Sequence, residues 1–217
     1  MNAQSLNVLR DAMKKIGHPN FLELTIEPVE LSGEQPLEVQ LTDVFYRDDS
    51  SMEVTLYFER PEKGVVYSFT RYKCHVRYYK DPTKNRAYTF YRSKFVPTIR
   101  EAYNLLLGRS INKDVTSAPD EVYNAWLTLN FREKDTNGNY KLHYFPTKNG
   151  YQIERILDLY PIQELFDDEL KANLLLSLKA GDSCLVTLNQ AGKSQKVYIE
   201  ASPKFKTIGI YPTKVSR

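Results

Sequence analysis

Apolar and polar residues alternate with a period of two along much of this chain, the signature of strands with one dry and one wet face. Met52, Val54, Leu56 and Phe58 share one side of a predicted strand, and Glu53, Thr55, Tyr57 and Glu59 the other. Leu37, Val39 and Leu41 alternate with Glu38, Gln40 and Thr42 in the same way. The run VVYSFTRYKCHVRYY is long, and its apolar parity changes near Phe69–Thr70, which predicts a bend or bulge there. A loop at KDPTKN leads to a shorter strand, RAYTFYR. YNAWLTLNF and NYKLHYF flank REKDTNG, whose Asn137-Gly138 pair favours the positive backbone angles of a tight hairpin. SCLVTLN, QKVYIEA and FKTIGIY complete the strand pattern.

Helical spacing interrupts this pattern in four places. Leu6, Leu9, Met13 and Ile16 line one side of an N-terminal helix, and FLELTIEPVEL after it is a short mixed stretch interrupted by Pro28. Pro97 opens PTIREAYNLLLG, in which Ile99, Ala102, Tyr103 and Leu106 share a face and Gly108 is the stop. GYQIERILDLY is a third helical stretch, and PIQELFDDELKANLLLSLKAGD a fourth, with Leu165, Phe166, Leu170, Leu174 and Leu178 at helical spacing. Hairpin-spaced strands with interspersed helices predict an α+β fold, mostly antiparallel sheet with helices packed on it. The turn-rich segment 112–121, NKDVTSAPDE, is the expected connection between an N-terminal α+β subdomain, 1–115, and a C-terminal one, 116–217. Two subdomains of this size also suit one intimately packed body. The order VTLYFERPEKGVVYSF then IREAYNLL echoes LTLNFREKDTNGNYKLHYF then QIERILDL, raising a further expectation of two similar ββα-containing halves. The triplet PTK at 82–84, 146–148 and 212–214 marks no repeat, because a strand follows its first copy and a helix its second.

Composition supports this picture: sixteen Tyr and ten Phe against nine Gly favour strands. A net charge of +3 identifies no partner, but the charge is unevenly placed. Residues 23–63 hold eleven acids and three bases, whereas 71–100 hold nine Lys/Arg and one acid, Asp81. Cys74 and Cys184, 110 residues apart, are no disulfide framework. The N-terminal stretch lacks an apolar signal core, and no run approaches about 18 apolar residues, so a cytoplasmic protein without membrane association is expected.

A search for reactive chemistry yields no catalytic residue, metal site or cofactor motif, and the expectation is a protein that is not an enzyme. His18, His75 and His143 are scattered, and neighbours Cys74 and His75 point to opposite faces of a strand. Cys74 alternates with Tyr72, Val76 and Tyr78, and Cys184 with Val186 and Leu188, so both face apolar surroundings that suit no thiolate nucleophile. AGKS at 191–194 lacks the first glycine of a phosphate loop and lies between strands as a hairpin turn. Asp167, Asp168 and Glu169 are explained by the dipole of the helix they begin. Trp126 stands on the polar side of its strand, opposite Ala125, Leu127, Leu129 and Phe131. It is either an interaction surface or covered by a helix.

One surface stands out. Arg71, Lys73, His75 and Arg77 fall on one face of their strand, roughly 6.8 Å apart, while Tyr72, Cys74, Val76 and Tyr78 take the other. Pairing with RAYTFYR should place Tyr88 and Phe90 beside Cys74 and Val76 on the buried face, since a one-residue slip would set them among the cations. The wet face is then a basic stripe with Tyr91 nearby and Arg92 and Lys94 beyond. Such a stripe can neutralise phosphates while a tyrosine stacks on a base, or dock an acidic protein surface. It is equally a solvated sheet face whose cations discourage edge pairing and are neutralised by the acidic region 23–63.

The words EAYNLLLGRSINKDV, YNAWLTLNFREKDTNGNYKLHYF, PIQEL, LLLSLKAGD and KVYIEASPKFKTIGIY resemble a family of small, uncharacterised Bacteroidota proteins commonly carried near conjugative or other mobile elements. The resemblance covers nearly the whole chain, including MNAQSL. It implies an accessory role in mobile-DNA biology and carries over no site residues. Together these readings lead to a non-enzymatic accessory binding protein, nucleic-acid-associated through the 71–94 surface, or alternatively a protein-interaction or self-associating module.

Overall fold

The computed structural model describes residues 3–17, 37–41, 46, 47, 49–59, 68–92, 96–117, 121–190 and 192–213. The stretch FLELTIEPVEL, His18 and Lys94 lie outside the described residues. The chain divides into two units, Met1–Leu106 and Leu107–Arg217. Its class is α+β, with every sheet antiparallel.

In the first unit the period-two segments pair into one sheet. Its strands are β1 (Leu37–Leu41), β2 (Tyr46–Arg47), β3 (Ser50–Glu59), β4 (Ser68–Tyr78) and β5 (Arg86–Tyr91). Their order is β1-β3-β4-β5, with β2 also on β3. Burial follows the alternation: Met52, Val54, Leu56 and Phe58 of β3 and Tyr72, Cys74 and Val76 of β4 are shielded from solvent. Tyr88 lies opposite Cys74 as expected, but Phe90 lies opposite Tyr72 and Arg86 opposite Val76. The expected bulge is present. Tyr57 pairs with Arg71 but Phe58 with Phe69, leaving Thr70 as the extra residue that returns Phe69 to the dry side.

Two helices pack on β4: α1 (Ala3–Lys15) and α2 (Ile99–Leu106). α2 begins with a reciprocal cap. The Thr98 Oγ1 accepts from the Glu101 N–H at 3.2 Å, and the Glu101 carboxylate accepts from the Thr98 N–H at 2.7 Å. Pro97 just before it accepts a 2.6 Å hydrogen bond from the buried Tyr72 hydroxyl, tying the helix start to β4. At the other end Arg86 donates to the Leu106 carbonyl at 2.8 Å, satisfying a group that the last turn leaves open.

The second unit carries two three-stranded sheets, so its layout differs from that of the first. One contains β6 (Ile111–Thr116), β7 (Val122–Lys134) and β8 (Tyr140–Pro146), and the other has the order β11-β10-β9. These last strands are β9 (Cys184–Gln190), β10 (Lys193–Ser202) and β11 (Thr207–Pro212). Residues 112–116 therefore are not part of a connection. They belong to β6, which buries Ile111 and Val115 against β7. In the β7–β8 turn Gly138 has φ +79, and the Asp135 carboxylate accepts from the N–H groups of Asn137 and Asn139. The wider five-residue turn thus needs a positive angle at glycine only.

The helices are shorter than the spacing predicts. α3 spans Ile153–Leu157, and α4 spans Asp168–Lys179. Gln163–Phe166 forms a separate 3-10 turn, because Asp167 takes an extended conformation and caps α4 by accepting from the Leu170 N–H at 2.9 Å. Leu174 and Leu178 are buried, while Phe166 and Leu170 are exposed, so the expected five-residue apolar face is interrupted at the cap.

Tyr151, buried in the core of the second unit, closes the end of the β10–β11 hairpin. Its hydroxyl accepts from the Ser202 N–H at 3.1 Å and donates to the Thr207 carbonyl at 2.9 Å, two residues that lie opposite one another. Burial pushes this hydroxyl up to about 12, so it stays a donor across the physiological range. Replacing it leaves two backbone groups short of a partner. Tyr151→Phe should lower unfolding stability by about 1–3 kcal/mol, read from urea denaturation of the full chain.

Candidate functional site

The outer face of the first sheet carries the predicted basic stripe. Arg71, Lys73, His75 and Arg77 alternate with the buried residues of β4, and Tyr91 lies directly opposite Arg71 on β5. Lys73 and Arg77 are exposed, and Arg71 and His75 half-buried. Pairing with β3 brings carboxylates onto the same face. Glu53 lies opposite His75 and meets Arg77 at 3.0 Å, while Glu59 meets Arg71 at 2.7 Å. The Arg71 guanidinium also sits 4.6 Å from the centre of the Tyr57 ring, a cation–π contact. Exposed Glu38 of β1, opposite Tyr57, adds a third carboxylate. Three permanent cations, Arg71, Lys73 and Arg77, therefore share this face with Glu38, Glu53 and Glu59. Lys73 is the cation of the row without an ion pair among the described residues.

His75 adds little positive charge. Partial burial, then the nearby Arg77, and to a smaller extent Lys73, lower its pKa from 6.5, while Glu53 opposes the shift. The imidazole is thus neutral over most of the physiological range.

Two expected members of the stripe are placed elsewhere or not described. The Arg92 N–H bonds the Thr70 carbonyl at 2.8 Å, but its side chain lines a small pocket with Asp11, Ala12, Lys15 and Phe69. That is the helix-covered side of the sheet, as its parity one residue past Tyr91 requires. Lys94 lies outside the described residues.

Trp126 presents no interaction surface. It is 1% exposed and meets Tyr151 edge-on, with ring centroids 5.3 Å apart. Ala125, Trp126 and Leu127 are all buried, because β7 is covered on both faces at that level. The cysteines are similarly enclosed. Cys74 is fully buried and its thiol pKa strongly raised by that burial, and Cys184 is partly buried with Sγ 3.7 Å from the Asp182 carbonyl. His143 is exposed on β8, opposite Thr128. Among the described residues no group of three or more His, Cys, Asp or Glu side chains could hold a metal ion. Among the same residues no helix is long and apolar enough to cross a membrane.

A second face went unread in the sequence. Leu185, Tyr198 and Tyr211 lie opposite one another across β9, β10 and β11, on the side away from the core residues Val186, Val197 and Ile199. All three are exposed. Beside them Arg109 holds Glu200 at 3.0 Å. The signal was the alternation in QKVYIEA, which sets Lys196, Tyr198 and Glu200 together on the wet side. Compared with protein families, curated proteins and solved structures, the chain matches none.

The charge mosaic around His75 can be measured. In a proton NMR titration its midpoint should fall below 6.5, rise in Arg77→Gln and fall further in Glu53→Gln. Because the folded pKa is depressed, the associated stability is present above the unfolded value and lost as pH falls through the folded one. A midpoint above 6.5 would contradict the arrangement.

Proposed function

We propose that the protein is a non-enzymatic accessory binding module, and that the outer face of its first sheet engages another protein rather than nucleic acid. The observation that carries this reading is the alternation of charge on that face. Glu53 and Glu59 are paired with Arg77 and Arg71, and Glu38 stands on the neighbouring strand. A polyanion laid on the stripe would meet carboxylates along its whole length, and its phosphates would have to displace existing ion pairs. A protein surface can match a mosaic of both signs, using Lys73 as the unpaired cation and Tyr57 and Tyr91 as contact area. An accessory role of this kind in the cytoplasm also suits the resemblance to proteins carried near mobile elements.

Nucleic-acid binding is the alternative that one comparison separates. Affinity purification of the full chain from cells that naturally carry it should recover the same partner proteins with and without nuclease treatment. Lys73→Glu, which folds normally because the side chain is exposed, should reduce that recovery. Loss of every partner on nuclease treatment would overturn the proposal. So would tight, salt-dependent binding of labelled DNA or RNA at about 50 mM salt that is abolished by neutralising Arg71, Lys73 and Arg77.

A further inference from the structure

We propose that the outer face of the β9–β10–β11 sheet docks onto the same face of a second copy of the chain. This surface is separate from the one above and does not rest on that reading. Its inner side is occupied by the core of the second unit, whereas its outer side presents Leu185, Tyr198 and Tyr211 in line, 46%, 38% and 49% exposed. Large apolar side chains scattered singly over a surface are ordinary, but three in one cross-strand row form a continuous patch.

Charge placement selects a second copy as the occupant. On the central strand, Lys196 stands two residues before Tyr198 and Glu200 two residues after it, on the same face. A two-fold axis laid along the Leu185–Tyr198–Tyr211 row returns that row to itself. The same rotation carries Lys196 of one copy onto Glu200 of the other, and the reverse. This is an isologous, self-complementary contact. Each charge lies roughly 6.8 Å from the axis along the strand, a displacement that the long lysine side chain tolerates at the usual crossing angle of aligned sheets. Glu200 already holds Arg109 through Oε1 at 3.0 Å, and a carboxylate can accept from more than one cation. Thr187 is opposite Lys196 and Gly209 opposite Glu200. The Tyr211 ring lies over Gly209, so that ring and the Arg109 side chain flank Glu200 and would pack against the second copy.

The face is modest in size. Three strands about 4.8 Å apart and about six residues long measure roughly 14 by 20 Å, or about 280 Å² a side, well below the ~800 Å² per partner of a standard specific contact. The dimer is therefore weak and reversible. It is read by sedimentation velocity of the full chain over a concentration series, where a monomer–dimer equilibrium is expected. Lys196→Glu and Glu200→Lys should each weaken it by about tenfold, because each sets like charges together twice. An equimolar mixture of those two variants should recover the dimer, since every mixed pair has opposite charges at both contacts. Tyr198→Ala should weaken it independently, which keeps the test intact if Glu200→Lys, having lost the Arg109 pair, fails to fold. Monomer at every concentration up to about 1 mM would overturn the proposal. So would a dimer indifferent to Lys196→Glu and Tyr198→Ala, or one that mixing fails to restore.

Discussion

The pairing of β3 with β4 decides both what the first unit buries and what it shows. One register sets Val54 against Cys74 and Leu56 against Tyr72 on the dry side, and Glu53 against His75 on the wet side. A slip by one residue would bring Arg71, Lys73 and Arg77 into the core, so hydrophobic burial enforces the surface arrangement as a by-product. The ion pairs are exposed and individually weak; they follow the register and do not set it. The extra residue at Thr70 serves the same end. Without it Phe69 would face water, whereas with it the strand regains its apolar side beside Phe58.

Much of this first sheet was legible because each strand is covered on one side only, where a period of two is a faithful record of burial. The buried row from Met52 to Phe58, the shared face of Tyr88 and Phe90 and the bulge near Thr70 all came from parity. The charge of the stripe was legible only as two alternatives, a basic surface or a face neutralised by the acidic region 23–63, for a different reason. Counting charges along 71–100 takes no account of the strand beside it. The carboxylates of Glu53 and Glu59 reach the stripe only through pairing with residues earlier in the chain. Arg92 was assigned by proximity in sequence, although its parity relative to Tyr91 sends its side chain to the other side.

In the second unit the same rule loses force. At Ala125, Trp126 and Leu127 the strand is covered on both sides, so alternation ceases to distinguish inside from outside. β6 was hidden by turn-forming residues and by half-buried Lys113 between Ile111 and Val115. The helical spacing of Leu165 and Phe166 was a coincidence of composition, because the extended backbone at Asp167 separates them from α4. Nor could the sequence reveal that the Tyr151 hydroxyl would bridge Ser202 and Thr207, since that contact joins segments about fifty residues apart.

Gly209 shows how a missing side chain can hold an aromatic one in place. A Cβ there would come within 2.8 Å of the Tyr211 hydroxyl oxygen and 2.9 Å of its ring. The ring thus lies back along its own strand, covering backbone that the glycine would otherwise leave bare. A larger residue at 209 need not break the strand, because the far end of a tyrosine can swing away. It would release the ring into water and restore its rotational freedom, exchanging a flat, preordered platform for a mobile side chain. The smallest residue on that face therefore governs how rigidly its most exposed tyrosine is presented.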